Sequence, residues 1–254
     1  MNLTLEQYQA LNPRCEIAHA GTRMTFITPN VTTKWRVETI HSKEPCTLEW
    51  IAGFDADDVL ADIGANVGMY SVWAAATRRA KVFAFEPEAQ NYALLNRNIQ
   101  ANQLQGRVKA YCLGLSDRQS ISQLFLSELI PGGSNHAAGQ ALDFQLAPMK
   151  VQYEQGCLIF KLDDLVASGA IPVPNHIKID VDGFEHKVIV GAADVLKNPA
   201  VRSLLIEVNL NLQVHRDMLD ALADLGFKYD AEQVRRATRQ EGPFKGVAEH
   251  VFKR

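Results

Sequence analysis

From Asp58 onward the chain alternates short apolar, β-branched runs with helical patterns, and few folds accept that rhythm. Val59–Ile63, Lys81–Glu86, Arg107–Cys112, His176–Asp180 and Arg202–Val208 read as five strands. The stretches Ala65–Arg79, Glu88–Asn102, Phe184–Lys197 and Val214–Leu225 read as helices. Pro87 fits a first helical position, where no N–H is needed, and Tyr92, Leu95 and Ile99 recur at helical spacing. Phe227–Tyr229 and Val247–Phe252 supply two closing strands. Apolar strands interleaved with helices predict an α/β fold, a mostly parallel, doubly wound sheet covered on both faces. Ligands of such sheets sit beyond the carboxyl ends of the strands, at the switch point of the strand order. Functional residues are therefore expected just after each strand.

Two stretches break the rhythm. Residues 1–57 form an N-terminal extension expected to pack on the core domain, 58–254. The extension reads as a polar leader, a strand pair over Thr22–Ile27 and Lys34–Ile40, and a short helix from Pro45. An insertion over about 118–157 separates the third and fourth strands by more than an ordinary connection. It contains Pro131-Gly-Gly-Ser-Asn-His136, flexible turn chemistry placed over the strand ends. That segment reads as a lid, or equally as a plain hairpin insertion.

Composition narrows the partners. Among 254 residues, Lys and Arg number 26 and Asp and Glu 29, a formal charge of −3. Phosphate-binding chains need a basic excess or stripe; the dense basic spots here are Arg78-Arg79 and Arg235-Arg236, so no nucleic acid is expected. Cys15, Cys46, Cys112 and Cys157 form no CxxC pair and read as reduced, mostly buried thiols. The N-terminus has no basic segment followed by an apolar core, and no apolar run approaches the ~18 residues of a membrane span. A cytoplasmic protein with no membrane partner is the expectation, its oligomeric state open.

Asp62-Ile-Gly-Ala-Asn-Val-Gly68 follows the first strand and opens a helix. Gly64 and Gly68 permit a tight turn with helix N–H groups facing a ligand. A dinucleotide fingerprint needs a glycine where Asn66 stands. An acid at the strand tip, Asp62, opposes a pyrophosphate and suits an ammonium or sulfonium group. Glu86 ends the second strand, where a carboxylate accepts from a ribose diol. Together they describe a nucleoside cofactor with a zwitterionic tail, which S-adenosylmethionine fits better than NAD.

These motifs resemble the FkbM-like methyltransferases. Asp62–Ser71, Phe85-Glu-Pro87, Gly114-Leu-Ser-Asp117, Lys161-Leu-Asp-Asp-Leu165, Lys178-Ile-Asp-Val-Asp-Gly-Phe-Glu185 and Glu207 occur in that family's order, covering about Pro45 to Asn209. Asp182 departs from the pattern, since the family more often has Glu there. The resemblance implies a class I methyltransferase-like (Rossmann-like) fold, dependence on S-adenosylmethionine, and O-methylation of hydroxyls on sugars or natural products. It implies that Asp62, Gly64, Ala65, Asn66 and Gly68 line the methionine end, Glu86 the ribose, and Ser116 and Asp117 the adenine.

Methyl transfer to an alcohol needs a base or a metal near the methyl group. Lys178 and Asp180 leave the fourth strand on one side, so Asp180 meets the cofactor ammonium or acceptor hydroxyl, with Lys178 behind it. His186, Glu207 and His136 are further catalytic candidates. Asp182 and Glu185 have the spacing of a capping box. A divalent metal on Asp180, Asp182, Glu207 and Asn209 is possible but not favoured, as no dense metal motif is present. The function expected is O-methylation of a small hydroxylated acceptor, a sugar or glycosylated natural product. The alternatives are a non-catalytic cofactor-binding protein and a nicotinamide-dependent oxidoreductase.

Overall fold

A computed structural model describes residues 3–254. The N-terminal extension holds helix α1 (Leu5–Ala10), a hairpin of β1 (Arg14–His19) and β2 (Thr22–Ile27), and helices α2 (Val31–Glu38), α3 (Ile40–Lys43) and α4 (Pro45–Ala52). The first half of the main domain runs β3 (Val59–Ile63), α5 (Met69–Arg78), β4 (Lys81–Phe85), α6 (Ala89–Ala101) and β5 (Val108–Tyr111). The insertion contributes β6 (Gly114–Leu115), β7 (Ser120–Leu126), β8 (His136–Ala138) and β9 (Tyr153–Phe160). The second half runs α7 (Leu162–Ala167), β10 (His176–Ile179), α8 (Glu185–Val190), α9 (Ala193–Lys197), β11 (Ser203–Asn209), α10 (Gln213–Asp224), β12 (Lys228–Tyr229), α11 (Ala231–Ala237) and β13 (Val247–Lys253).

The main sheet has the order β12-β13-β11-β10-β3-β4-β5. Its five central strands are parallel, and β13 runs antiparallel to β11 and β12. The chain steps outward from β3 to β5, then returns to lay β10 against β3. The switch point therefore lies between the carboxyl ends of β3 and β10, the crevice where such sheets bind ligands. One apolar cluster joins β2, α4, α5 and α6 to the sheet, and another joins α7 through α10 to its other face. Both faces are thus covered, as the apolar strands require.

The extension differs from its sequence reading. Lys34–Ile40 is not a strand: Val31–Glu38 is helical, because Asn30 accepts from the Thr33 amide and Thr33 returns the bond in a capping box. The partner of β2 is β1, paired in antiparallel register from Arg14↔Ile27 to His19↔Thr22. On the other edge of β2, Asn102, just past the end of α6, and Asn98 on α6 accept from the Thr25 and Ile27 amides at 2.8 Å each. The Trp50 indole donates to Ser203 at 2.8 Å, tying α4 to the base of β11.

Two helices also end where the chemistry of neighbours demands. The stretch after β3 becomes helical only at Met69, because Gly64, Asn66 and Gly68 hold positive φ. Phe184–Lys197 splits into α8 and α9 around Gly191, where a Cβ would stand 1.9 Å from the Ser116 carbonyl oxygen. The insertion is wider than its sequence reading, a four-stranded sheet of order β6-β9-β7-β8 reaching from Gly114 to Phe160. All four cysteines are free; Cys46 and Cys157 are buried, Cys112 is exposed. Among the described residues no helix is long and apolar enough to cross a membrane.

Candidate active site

A cavity of about 350 Å³ opens at the β3/β10 switch point. Its floor is Ile63, Gly64 and Asn66 after β3, Phe85, Glu86 and Pro87 after β4, and Asp180–Asp182 after β10. Leu113–Ser116 form one side, and Gly133–His136 of the insertion another. Trp35, Arg36 and Lys43 of the extension, with Glu207, Arg239 and Phe244, close the remaining wall. A small recess of about 40 Å³ adjoins it, bordered by Arg36, Lys43, Glu44, Ala65, Tyr70, Lys178 and Asp180 among others.

The loop after β3 is shaped by close packing. Gly64 has φ +79°, and a Cβ on it would lie 1.9 Å from the Asp180 carbonyl oxygen, so only glycine lets the two strand ends meet. Gly68 answers to a different neighbour: its Cβ would strike the Leu95 side chain on α6 at 2.3 Å. Gly68 therefore seats a helix and does not border the cavity.

Glu86 is nearly fully buried and held by two backbone donors. One oxygen accepts from the Asn66 amide at 2.8 Å, the other from the Glu88 amide at 2.9 Å. Burial still pushes its carboxyl up to about 7, against those two hydrogen bonds. Each oxygen keeps a further lone pair for a ligand hydroxyl.

Asp180 and Lys178 meet at 3.0 Å, as their same-side spacing on β10 predicts. Burial works against an ionised Asp180, but the Lys178 ammonium overrides it and draws the carboxyl down to about 2. Lys178 itself is buried, and the surrounding carboxylates overcome its desolvation to hold its pKa up. Removing Asp180 altogether would leave that ammonium unpaired, a loss of about 3–5 kcal/mol. Lys178 borders the small recess and not the main cavity.

Glu207 lies 2.8 Å from the Arg239 guanidinium, which also reaches Glu249 at 2.8 Å. One cation thus serves two carboxyls, with Asp180 adding negative charge nearby. Burial, then Asp180, pushes Glu207 well above the usual carboxylate range, and Arg239 pulls the other way. Burial and Glu44 bring Glu249 up to about 7.

Several residues expected in the site lie elsewhere. Asp62 borders neither cavity; it is buried beneath the loop and accepts from the Ser71 hydroxyl at 2.5 Å, fixing the start of α5. Ala65 borders only the small recess. Ser116 lines the cavity, whereas Asp117 accepts from the Ser116 hydroxyl at 3.2 Å outside it. His186 sits behind the wall, its ring 5.8 Å from that of His215, with burial lowering its pKa. Position 186 follows the turn of α8 away from the strand ends.

Asp182 and Glu185 do not form a capping box, since the N-cap of α8 is Phe184. Asp182 accepts from the Asn135 and His136 amides, at 2.8 and 3.3 Å, and clamps the insertion. Glu185 accepts from the Val181 and Gly183 amides, and burial takes it up to about 8. The oxygens that could hold a metal are engaged elsewhere: Asp180 with Lys178, Glu207 with Arg239, and Asn209 Oδ1 with the Asn211 amide. Among the described residues no group of three or more His, Cys, Asp or Glu is arranged to hold a metal.

Trp35, Arg36, Lys43, Arg239 and Phe244 were invisible to sequence reading as site residues. They lie outside the motifs, and only the folded extension and the segment between α11 and β13 bring them to the switch point. His136, singled out beside the Gly-Gly turn, does line the cavity.

The FkbM methyltransferase domain model matches residues 62–229. The hexuronic acid methyltransferase AglP of Haloferax volcanii is 26% identical over 190 residues, covering 75% of this chain and 72% of its own. The 31-O-demethyl-FK506 methyltransferase FkbM of Streptomyces tacrolimicus is 26% identical over 197 residues, covering 69% and 75%. The solved FkbM methyltransferase structure from Methylobacillus flagellatus KT shares the class I fold, with TM-score 0.50 and 15% identity. It aligns with 79% of this chain, which spans only 44% of that one. A matched motif series, a cavity at the switch point and the family match converge, and the chain belongs to the FkbM methyltransferase family.

Proposed function

We propose that this enzyme uses S-adenosylmethionine to methylate a hydroxyl of a small polar acceptor, a sugar or a glycosylated natural product. The observation carrying the reading is the buried Glu86 carboxyl at the cavity floor, flanked by an apolar slot of Phe85, Leu113 and Leu115. That donor and acceptor set fits the cofactor: Glu86 for the ribose diol, the slot for the adenine, and ionised Asp180 for the amino-acid ammonium. The ionised Asp180 at the switch point disfavours a pyrophosphate there, which argues against a nicotinamide cofactor. The relatives' names, a hexuronic acid and an FK506 methyltransferase, favour a glycosidic or natural-product acceptor.

Bound S-adenosylmethionine supplies an electrophilic methyl carried on a sulfonium sulfur. The protein must align the acceptor oxygen and dispose of its proton as the new O–C bond forms and the old C–S bond breaks. Glu207 takes that proton: its carboxyl lines the cavity, and the Arg239 guanidinium at 2.8 Å fixes its position. Asp180 stays ionised throughout, held by Lys178, and orients the groups beside it. Trp35 and Phe244 supply aromatic surface to the cavity wall.

The test is transfer of labelled methyl from S-adenosylmethionine to a panel of hexuronic acids, methyl glycosides and glycosylated macrolides. The expected product is an alkali-stable ether. Alkali-labile label would mark an ester, so that a carboxylate and not a hydroxyl is the acceptor.

A further inference from the structure

The Pro131–His136 segment has turn chemistry, yet it is pinned from three sides. Asn30 donates to the Pro131 carbonyl at 2.9 Å and Arg36 to the Gly132 carbonyl at 2.7 Å, both from the extension. Asn66 and Asn91 donate to the Gly133 carbonyl at 2.7 and 3.2 Å, and Asn91 accepts from the Gly132 amide at 2.7 Å. Asp182 accepts the amides of Asn135 and His136, as above. Gly132, at φ +85°, admits no side chain, since its Cβ would stand 2.8 Å from Thr33 Cγ2. A loop held by this many side chains is a fixed wall.

That wall is left unfinished at one place. Asn135 Oδ1 and both ring nitrogens of His136 are buried and have no hydrogen-bond partner among the described residues, and both residues border the cavity. Asn135 also sits in the left-handed region at φ +60°. Buried polar atoms without partners are costly and rare, and strained residues gather where a ligand is clamped. Other partnerless buried atoms, such as Asp62 Oδ1 and His250 Nε2, lie away from the cavity.

We propose that Asn135 and His136 are specificity-determining residues that together receive two hydroxyls of one acceptor molecule, making a polyhydroxylated ring the substrate class. Burial, aided by Arg36, brings His136 down to about 4, so at neutral pH the ring offers one lone pair and one N–H. Asn135 Oδ1 only accepts. An acceptor with a single hydroxyl leaves part of this set unpaired, and such a loss is how polar sites reject analogues lacking one group. This inference rests on the hydroxyl-methylating reading above.

The first readout needs no acceptor. Groups kept for a ligand cost the free protein stability, so Asn135→Gly and His136→Leu should each raise the melting temperature by about 2–4 °C. The second readout uses methyl hexuronosides and their mono-deoxy counterparts with labelled S-adenosylmethionine. Wild type should favour the full diol by about tenfold or more, and Asn135→Gly or the milder His136→Gln should shrink that ratio toward one. A fall in melting temperature for both Asn135→Gly and His136→Leu, or an undiminished ratio in Asn135→Gly and His136→Gln, overturns the inference. If the wild type methylates no hydroxyl at all, the reading of the reaction fails first, whatever the melting temperatures show.

Discussion

The two ends of the β3/β10 strand pair carry similar side chains and differ in whether their bonding is complete. At the amino end, His176 Nδ1 lies 2.7 Å from Ser203 Oγ, and His176 Nε2 lies 3.0 Å from Asp58 Oδ2. Those spacings are the ones a nucleophilic serine would need. Yet Trp50 already donates to Ser203, Arg202 pairs with Asp58, and Phe54 stacks flat on the imidazole at 3.8 Å. His176, Ser203 and Asp58 border neither the main cavity nor the small recess. At the carboxyl end the acids crowd around a 350 Å³ cavity, Glu86 and Glu207 are pushed upward, and Asn135 and His136 lack partners. Residue type and distance do not separate a staple from a site; access and unfinished bonding do.

The comparison breaks if the carboxyl end tolerates what the amino end does not. The largest effect is expected at Glu207: Glu207→Gln should lower kcat about 10²–10⁴-fold, measured by product formation at saturating cofactor. Next is Glu86→Ala, which removes a charged acceptor for two ribose hydroxyls and should weaken cofactor binding by about 10–100-fold. At the amino end, Ser203→Ala leaves the Trp50 and His176 partners unpaired and should cost about 1–3 kcal/mol of stability by chemical denaturation. Turnover per folded molecule should stay unchanged there, and a large loss of turnover would give that cluster a catalytic role.

The smallest effect is a pH dependence. Glu86 titrates near 7 in the fold and near 4.5 when unfolded. Its protonated form stabilises the fold fully below 4.5, and that contribution is lost as pH rises through 7. A ligand diol prefers the ionised carboxyl, so cofactor affinity should fall as pH drops from 8 to 6, by about three- to tenfold. Glu86→Gln should flatten that slope in titrations at each pH.

The central sheet was legible in the sequence because Val59–Ile63, Lys81–Phe85 and His176–Ile179 are short apolar runs bounded by turn residues, and both signals are local. Helix α2 was not, since Trp35, Val37 and Ile40 carry strand-like composition while the Asn30 cap that decides the matter is one side chain. Glu86 and Asp180 could be found because they follow strands directly. Asp62 stands one residue before the end of β3 and lies outside the cavity, because strand alternation turns its side chain under α5 toward Ser71. Arg36, Arg239 and the clamped Gly-Gly loop depend on contacts between distant segments, which no local pattern encodes.

The most direct test of the account is calorimetric titration of S-adenosylhomocysteine into the wild type and Glu86→Ala at pH 8. Micromolar binding to the wild type and at least tenfold weaker binding to the variant are expected, with both proteins folded. Equal binding to the two proteins, or no binding to the wild type, would contradict it.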